Sequence, residues 1–271
     1  MRIAGIQFSC LKEKKKNVEK ALSLLCVAIE KGAKIVCFQE IFNLFWFPRE
    51  KNEAFFSLAE EANSTLFNPF FEKAREKGVV ILLPFFERAG KRFYNSCMVI
   101  NEKGEISGVY RKVHLSQIPL WEETYYFSRG DGFPVFSTGY GRIGVQISWD
   151  NLFPEGTRIL ALKGAEIVFA PTSCAFKTQH LWQTAISGNA IFNGLYIMRV
   201  NRVGSEDIQD FYGMSFCVNP EGEIISGPAG INDGIVIADV DLEYERDVRK
   251  TWPLLKARVP EVYTDLVKKG D

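Results

Sequence analysis

Histidine is scarce in this 271-residue chain, with only His114 and His180 present. Two imidazoles leave few candidates for a Ser-His-Asp triad, and no G-x-S-x-G elbow surrounds any serine. The six cysteines, Cys10, Cys26, Cys37, Cys97, Cys174 and Cys217, form no C-x-x-C pair. A tetrahedral zinc site therefore lacks its usual ligand spacing. Scattered through mostly apolar segments, these thiols read as reduced and buried, as in a cytoplasmic protein. A charge surplus is also missing, since Lys plus Arg and Asp plus Glu are 33 each. Nothing global draws the chain to nucleic acid or to an anionic membrane. No apolar run approaches membrane-spanning length, and "MRIAGIQFSCLKEKKK" is too briefly apolar for a signal peptide. A phosphate-binding G-x-x-x-x-G-K-[ST] is absent.

What is present is an ordinary globular composition, 46% hydrophobic, with 22 phenylalanines that call for dense aromatic packing. Short apolar strands alternate with amphipathic helices. "RIAGIQF" is followed by a helical stripe through Val18, Ala21, Leu22, Leu25 and Ile29, stopped at Gly32. "KIVCFQE" is a buried strand ending in Glu40, and a helix follows from Ser64 to Gly78. Two more strands flank the Glu102-Lys103-Gly104 turn. The second half repeats the alternation, with "RIGVQIS" as a strand ending in Ser148 and Pro154 in the first turn of the next helix. Gly139, Gly141 and Gly144 spell G-x-G-x-x-G, but they enter a strand instead of opening a helix, so they read as a turn. These units predict an α/β protein with sheets covered by helices. No linker divides it, so residues 1–271 read as a single domain with a C-terminal tail from about 252.

Four polar residues stand at or near segment ends: Glu40, Lys112, Glu123 and Ser148. A carboxylate at the end of an apolar strand is costly to bury unless paired or used. Singly, each has an ordinary structural explanation, as a cap, a solvated strand end or a surface acid. In combination with "CFQEIFNLFWFP", "YRKVHL", "WEETYYFSRGD", "GVQISWDNLFPEGTR", "APTSC", "NAIFNG", "VNRVG" and "FYGMSF", the chain resembles the nitrilase superfamily, the carbon–nitrogen hydrolases. Within it, "SWDNLFPE" and "QEIFNL" look most like the N-carbamoylputrescine amidase and β-ureidopropionase type.

The resemblance implies a four-layer α-β-β-α sandwich of two mixed sheets and a Glu-Lys-Cys mechanism without metal or organic cofactor. Glu40 falls at the general base, Lys112 at the cation facing the tetrahedral oxyanion, and Glu123 at a second, positioning glutamate. The chain departs from the pattern at the nucleophile, where the family has cysteine and this sequence has Ser148. A hydroxyl is far less acidic than a thiol, and a carboxylate base without an imidazole activates it poorly. Three explanations follow: a serine introduced into an active parent, a naturally inactive member that binds a ligand or partner, or a true serine amidohydrolase. Intact Glu40, Lys112 and Glu123 favour the first.

The substrate-binding candidates are Trp149, Phe47, Trp121 and Cys174. Phe42, Phe45, Trp46, Phe153 and Phe176 are further aromatic candidates, and Lys177, Arg199 and Arg202 are cations able to meet a substrate carboxylate. Arg202 reads as structural. Asp150 either orients the Ser148 loop or holds a substrate amino group. The resemblance implies a small amide, nitrile or N-carbamoyl substrate and a homodimer or higher homo-oligomer, with the tail after Trp252 as a contact segment.

Overall fold

The computed structural model describes residues 1–175 and 178–268. Two six-stranded mixed sheets form its centre. In the first, the strands run in the order Gly234–Asp239, Arg2–Gln7, Ile35–Phe38, Val80–Ala89, Arg92–Ile100, Ile106–Arg111. In the second, the order is Val135–Thr138, Gly141–Val145, Ile167–Thr172, Tyr196–Asn201, Phe216–Val218, Ile224–Ser226. Both sheets have the same pattern: an antiparallel edge, two parallel pairings, then two antiparallel ones. The alternation seen in the two halves of the sequence is thus a repeat in space.

The strand periodicity of two separates the layers. Ile3, Ile35, Cys37, Val80, Leu82, Cys97 and Val99 join the core shared with the second sheet. Ala4, Ile6, Val36, Phe38, Ile81 and Leu83 join the core under helix Lys14–Glu30, which supplies Val18, Ala21, Leu25 and Ala28. Helix Asn68–Lys77 adds Phe70 and Ala74 to the same layer and ends in left-handed Gly78, as its sequence predicts. Helices Pro154–Leu162 and Gln179–Asn193 pack on the second sheet through Leu160, Ile186 and Ala190, the latter helix again closed by a left-handed glycine, Gly194. Gly5 lets the sheets approach: a Cβ there would lie 2.7 Å from Val200 Cγ2. The result is the four-layer α-β-β-α sandwich.

Gly139-Tyr140 is the turn between two antiparallel strands, while Gly141 and Gly144 lie within the second of them. One expectation needs correction: the strand before the Ser148 loop stops at Val145, and Ser148 opens a 3-10 turn, Ser148–Leu152. Nor does Ser148 cap the helix at Pro154, whose N-cap is Phe153. The Glu40 and Ser148 segments both follow the carboxyl ends of parallel-paired strands, Ile35–Phe38 and Gly141–Val145, the side of an α/β sheet where ligands bind. The described residues contain no helix long and apolar enough to cross a membrane.

Candidate active site

Glu40 follows strand Ile35–Phe38 by two residues and is fully buried. Its Oε1 accepts the Asn95 side-chain amide at 2.8 Å and the Lys112 ammonium at 3.2 Å. Oε2 is buried with no hydrogen-bond partner. Lys112, just past strand Ile106–Arg111, donates a second bond to Glu123 Oε1 at 2.6 Å. Glu123 Oε2 takes the Ser116 backbone N–H at 2.7 Å. Two carboxyl groups therefore share one ammonium in a fully buried cluster. Burial pushes the Glu123 carboxyl up to about 7; Lys112 opposes this and Glu40 adds to it. Burial acts to lower the Lys112 pKa, but the two carboxylates outweigh it and hold the ammonium charged.

Arg202 fixes the Glu40 segment from behind. Its guanidinium donates to the carbonyls of Glu40, Ile41 and Leu44, to the Ser173 hydroxyl, and to Glu206 at 2.7 Å. Every arm is used, so its role is structural. Ile41, held by these bonds, has φ of +46°, which a branched side chain adopts only under constraint.

Ser148 also has φ of +46° and is 4% exposed. The loop that strains it is heavily bonded. Asp150 accepts from the Tyr110 hydroxyl at 2.5 Å, from the backbone N–H of His114 at 2.8 Å, and from that of Ile147 at 3.1 Å. His114 Nδ1 lies 2.9 Å from the same carboxylate, and the ring stacks on Phe153 at 3.8 Å. Asp150 thus orients the loop, and its occupied, fully buried oxygens leave no place for a substrate amino group. Asn151 Nδ2 ties the carbonyls of Gln146 and Ser148 together at 3.0 Å each.

Ser148 opens onto a cavity of about 120 Å³, room for a small molecule. Trp121, Trp149 and Cys174 line it, along with Ser116, Leu152 and Trp182. The cavity meets the charged cluster through Ser116, whose N–H holds Glu123. Behind Trp121, the Ser173 hydroxyl donates to the Glu40 carbonyl at 3.3 Å. Trp121 Nε1 donates to the Ser173 carbonyl at 3.3 Å. The Cys174 thiol is pushed up to about 12 by burial, against the pull of Arg199, so it is no ready nucleophile.

Phe47 is not among the residues lining the cavity. It is fully buried deeper in the aromatic core to which Trp121 also belongs, packed against Phe86 at 4.8 Å and Tyr126 at 5.0 Å. Trp46 belongs to that core as well, with its indole N–H on the Leu120 carbonyl, and Phe42 packs with Phe38 and Phe70 under the helices. Phe176 and Lys177 lie outside the described residues. Sequence reading missed Asn95, Ser116 and Trp182. Ser116 and Trp182 sit in runs with no polar-at-strand-end signature, and Asn95 is the middle of a strand.

The buried Glu40–Lys112–Glu123 cluster, beside a cavity lined by Ser148, sits on a two-sheet sandwich, and residues 2–250 match the carbon–nitrogen hydrolase family. The chain belongs to this family. This carbon–nitrogen hydrolase is 35% identical to N-carbamoylputrescine amidase of Solanum lycopersicum, over 98% of this chain and 94% of the relative. It is 33% identical to a citrullinase of Francisella tularensis, over 99% of both. Among solved structures, a carbon–nitrogen hydrolase from Helicobacter pylori superposes with a TM-score of 0.92 at 34% identity, covering 99% of this chain and 98% of the other. An amidase from Nesterenkonia sp. shares the fold at TM-score 0.84 and 23% identity, covering 98% and 96%.

Proposed function

We propose that this chain is an amidase or N-carbamoyl hydrolase scaffold that cleaves a non-peptide C–N bond, with Ser148 at the nucleophile position. The observation that carries the reading is Glu40 Oε2, a buried carboxylate oxygen with no partner, beside a charged lysine in the cluster that Ser116 joins to the Ser148 cavity. An acceptor kept dry and unpaired is suited to take a proton. In a cysteine form, the thiol gives its proton to Glu40 and attacks the amide or ureido carbon. Lys112 and the backbone N–H of Trp149 meet the oxyanion. Collapse of the intermediate expels ammonia or an amine, which takes the proton back from Glu40. Glu40 then deprotonates the water that releases the acyl group. Glu123 holds Lys112 in place through their 2.6 Å bond.

With serine at 148 the first proton transfer fails, because Glu40 is far too weak a base for an unassisted hydroxyl. The rate falls by several orders of magnitude. Ser148 is also what favours the second reading, a family member with a silent site that binds a ligand or partner. The relatives named N-carbamoylputrescine amidase and citrullinase support an N-carbamoyl substrate. The six free cysteines fit a cytoplasmic location. The chain forms one domain with a tail from about 252, whose exposed Trp252, Val262, Leu266 and Val267 suit contact with a second copy.

The roles are tested in a Ser148→Cys background. Glu40→Gln and Glu123→Gln should each abolish ammonia release from amides and N-carbamoyl compounds while the protein stays folded. Near-full turnover in either variant removes that residue from the mechanism.

A further inference from the structure

Among the described residues three cations are fully or almost fully buried: Lys112, Arg199 and Arg202. Lys112 has two carboxylates and Arg202 has Glu206. Arg199 has no ion-pair partner among the described residues. Its Nη2 donates to the Tyr212 hydroxyl at 2.9 Å, the Cys174 thiol lies against the guanidinium, and Nε and Nη1 have no hydrogen-bond partner. Three rings partly compensate, with Trp182, Tyr212 and Phe216 centred 5.2, 5.4 and 5.9 Å from the guanidinium carbon. An uncompensated buried charge is normally a large liability. Asp210, near Tyr212 in the chain, is exposed and accepts the Ser205 hydroxyl instead.

The position of Arg199 gives this charge a use. It sits mid-strand, opposite Ala170 and Phe216. Trp182, which it stacks against, lies in the first turn of helix Gln179–Asn193, whose N-cap Thr178 makes no side-chain cap bond. Trp182, Thr178 and Cys174 all line the cavity. Arg199 is therefore directly behind that wall, on the side of the helix's positive end. Among the described residues, those lining the cavity carry no charge. The charged cluster near Ser116 holds two carboxylates against one ammonium. Arg199 thus puts positive charge behind the Trp182 and Cys174 wall, while the Glu40–Lys112–Glu123 cluster lies beyond Ser116.

We propose that Arg199 sets the substrate class, so that the cavity selects ureido or amide compounds whose far end carries a carboxylate and rejects those ending in an ammonium group. The inference rests on the hydrolase reading above. Arg199 acts through its field across the wall, which makes it a specificity determinant and not a catalytic residue. A unit charge roughly 8 Å away at an effective dielectric of about 20 alters affinity more than tenfold.

Calorimetric titration of the protein as it stands tests this, since Ser148 leaves the ligands intact. The probes are 4-ureidobutanoate, 4-ureidobutylamine and uncharged butylurea. The acid should bind at least tenfold more tightly than the amine. Arg199→Met should collapse or reverse that ratio, and Arg199→Lys should retain most of it; melting temperatures report whether each variant is folded. An acid-to-amine ratio unchanged in Arg199→Met, or a preference for the amine in the parent, overturns the inference alone. If butylurea and both charged ureas all fail to bind the parent, the hydrolase reading falls and the inference falls with it. Should Arg199→Met not fold, the Arg199→Lys ratio and the parent's preference decide.

Discussion

Replacing Glu123 by glutamine should flatten the dependence of stability on pH. Glu123 is fully buried, and its pKa rises from 4.5 to about 7 on folding, chiefly because burial disfavours the carboxylate. An acid whose folded pKa exceeds its unfolded one favours the folded state while protonated. The contribution is complete below pH 4.5 and is lost as pH rises through about 7. The full gap corresponds to about 3 kcal/mol, and roughly 2–3 kcal/mol of it falls between pH 5 and pH 8. Glu123→Gln keeps an oxygen for Lys112 and removes the titration. Urea unfolding at several pH values gives the difference directly. The parent should lose roughly 2–3 kcal/mol relative to the variant on going from pH 5 to pH 8. Glu245, also raised to about 7 by burial, titrates in the same window but is common to both proteins and cancels. Parallel curves for parent and variant would refute the placement of a strained carboxylate in the cluster.

Three further outcomes follow from the packing. Phe47→Ala should lower stability by about 3–5 kcal/mol through an empty space in the aromatic core. In a Ser148→Cys background it should leave KM nearly unchanged, and a large rise in KM would return Phe47 to the substrate pocket. Arg202→Met strands Glu206 and the carbonyls of Glu40 and Ile41, and should cost about 3–5 kcal/mol in chemical denaturation; a loss below 1 kcal/mol would contradict that role. Asp150→Ala removes the acceptor shared by Tyr110, His114 and Ile147. It should lower kcat of the cysteine form by at least tenfold, read by ammonia release, and an unchanged kcat would show that the loop holds without it.

Much of the fold was legible because strand and helix periods differ and glycines end the helices. Ile35 and Cys37 face one core and Val36 and Phe38 the other, as alternation requires. Glu40 and Lys112 stood out for the same reason: an apolar run ends in a charge. The Ser148 turn was not legible, because Val145-Gln146-Ile147 continues a strand-like alternation. What stops the strand is distant, namely the bonds from Tyr110 and His114 to Asp150. The aromatic loop after Glu40 was misleading in one respect. Phe47 and Trp121 share one aromatic core, and only packing across the chain leaves Trp121 at the cavity wall while Phe47 is enclosed. Arg199 and Arg202, three residues apart, look alike in sequence. Arg202 is saturated by carbonyls and an acid, and Arg199 is left with two nitrogens that lack a hydrogen-bond partner.

The most direct test compares the protein as it stands with Ser148→Cys, following ammonia release from a panel of amides, nitriles and N-carbamoyl compounds. The proposed mechanism predicts turnover several orders of magnitude faster with cysteine, because only a thiol yields its proton to Glu40. Equal rates in the two proteins, or silence in both across the panel, would contradict it.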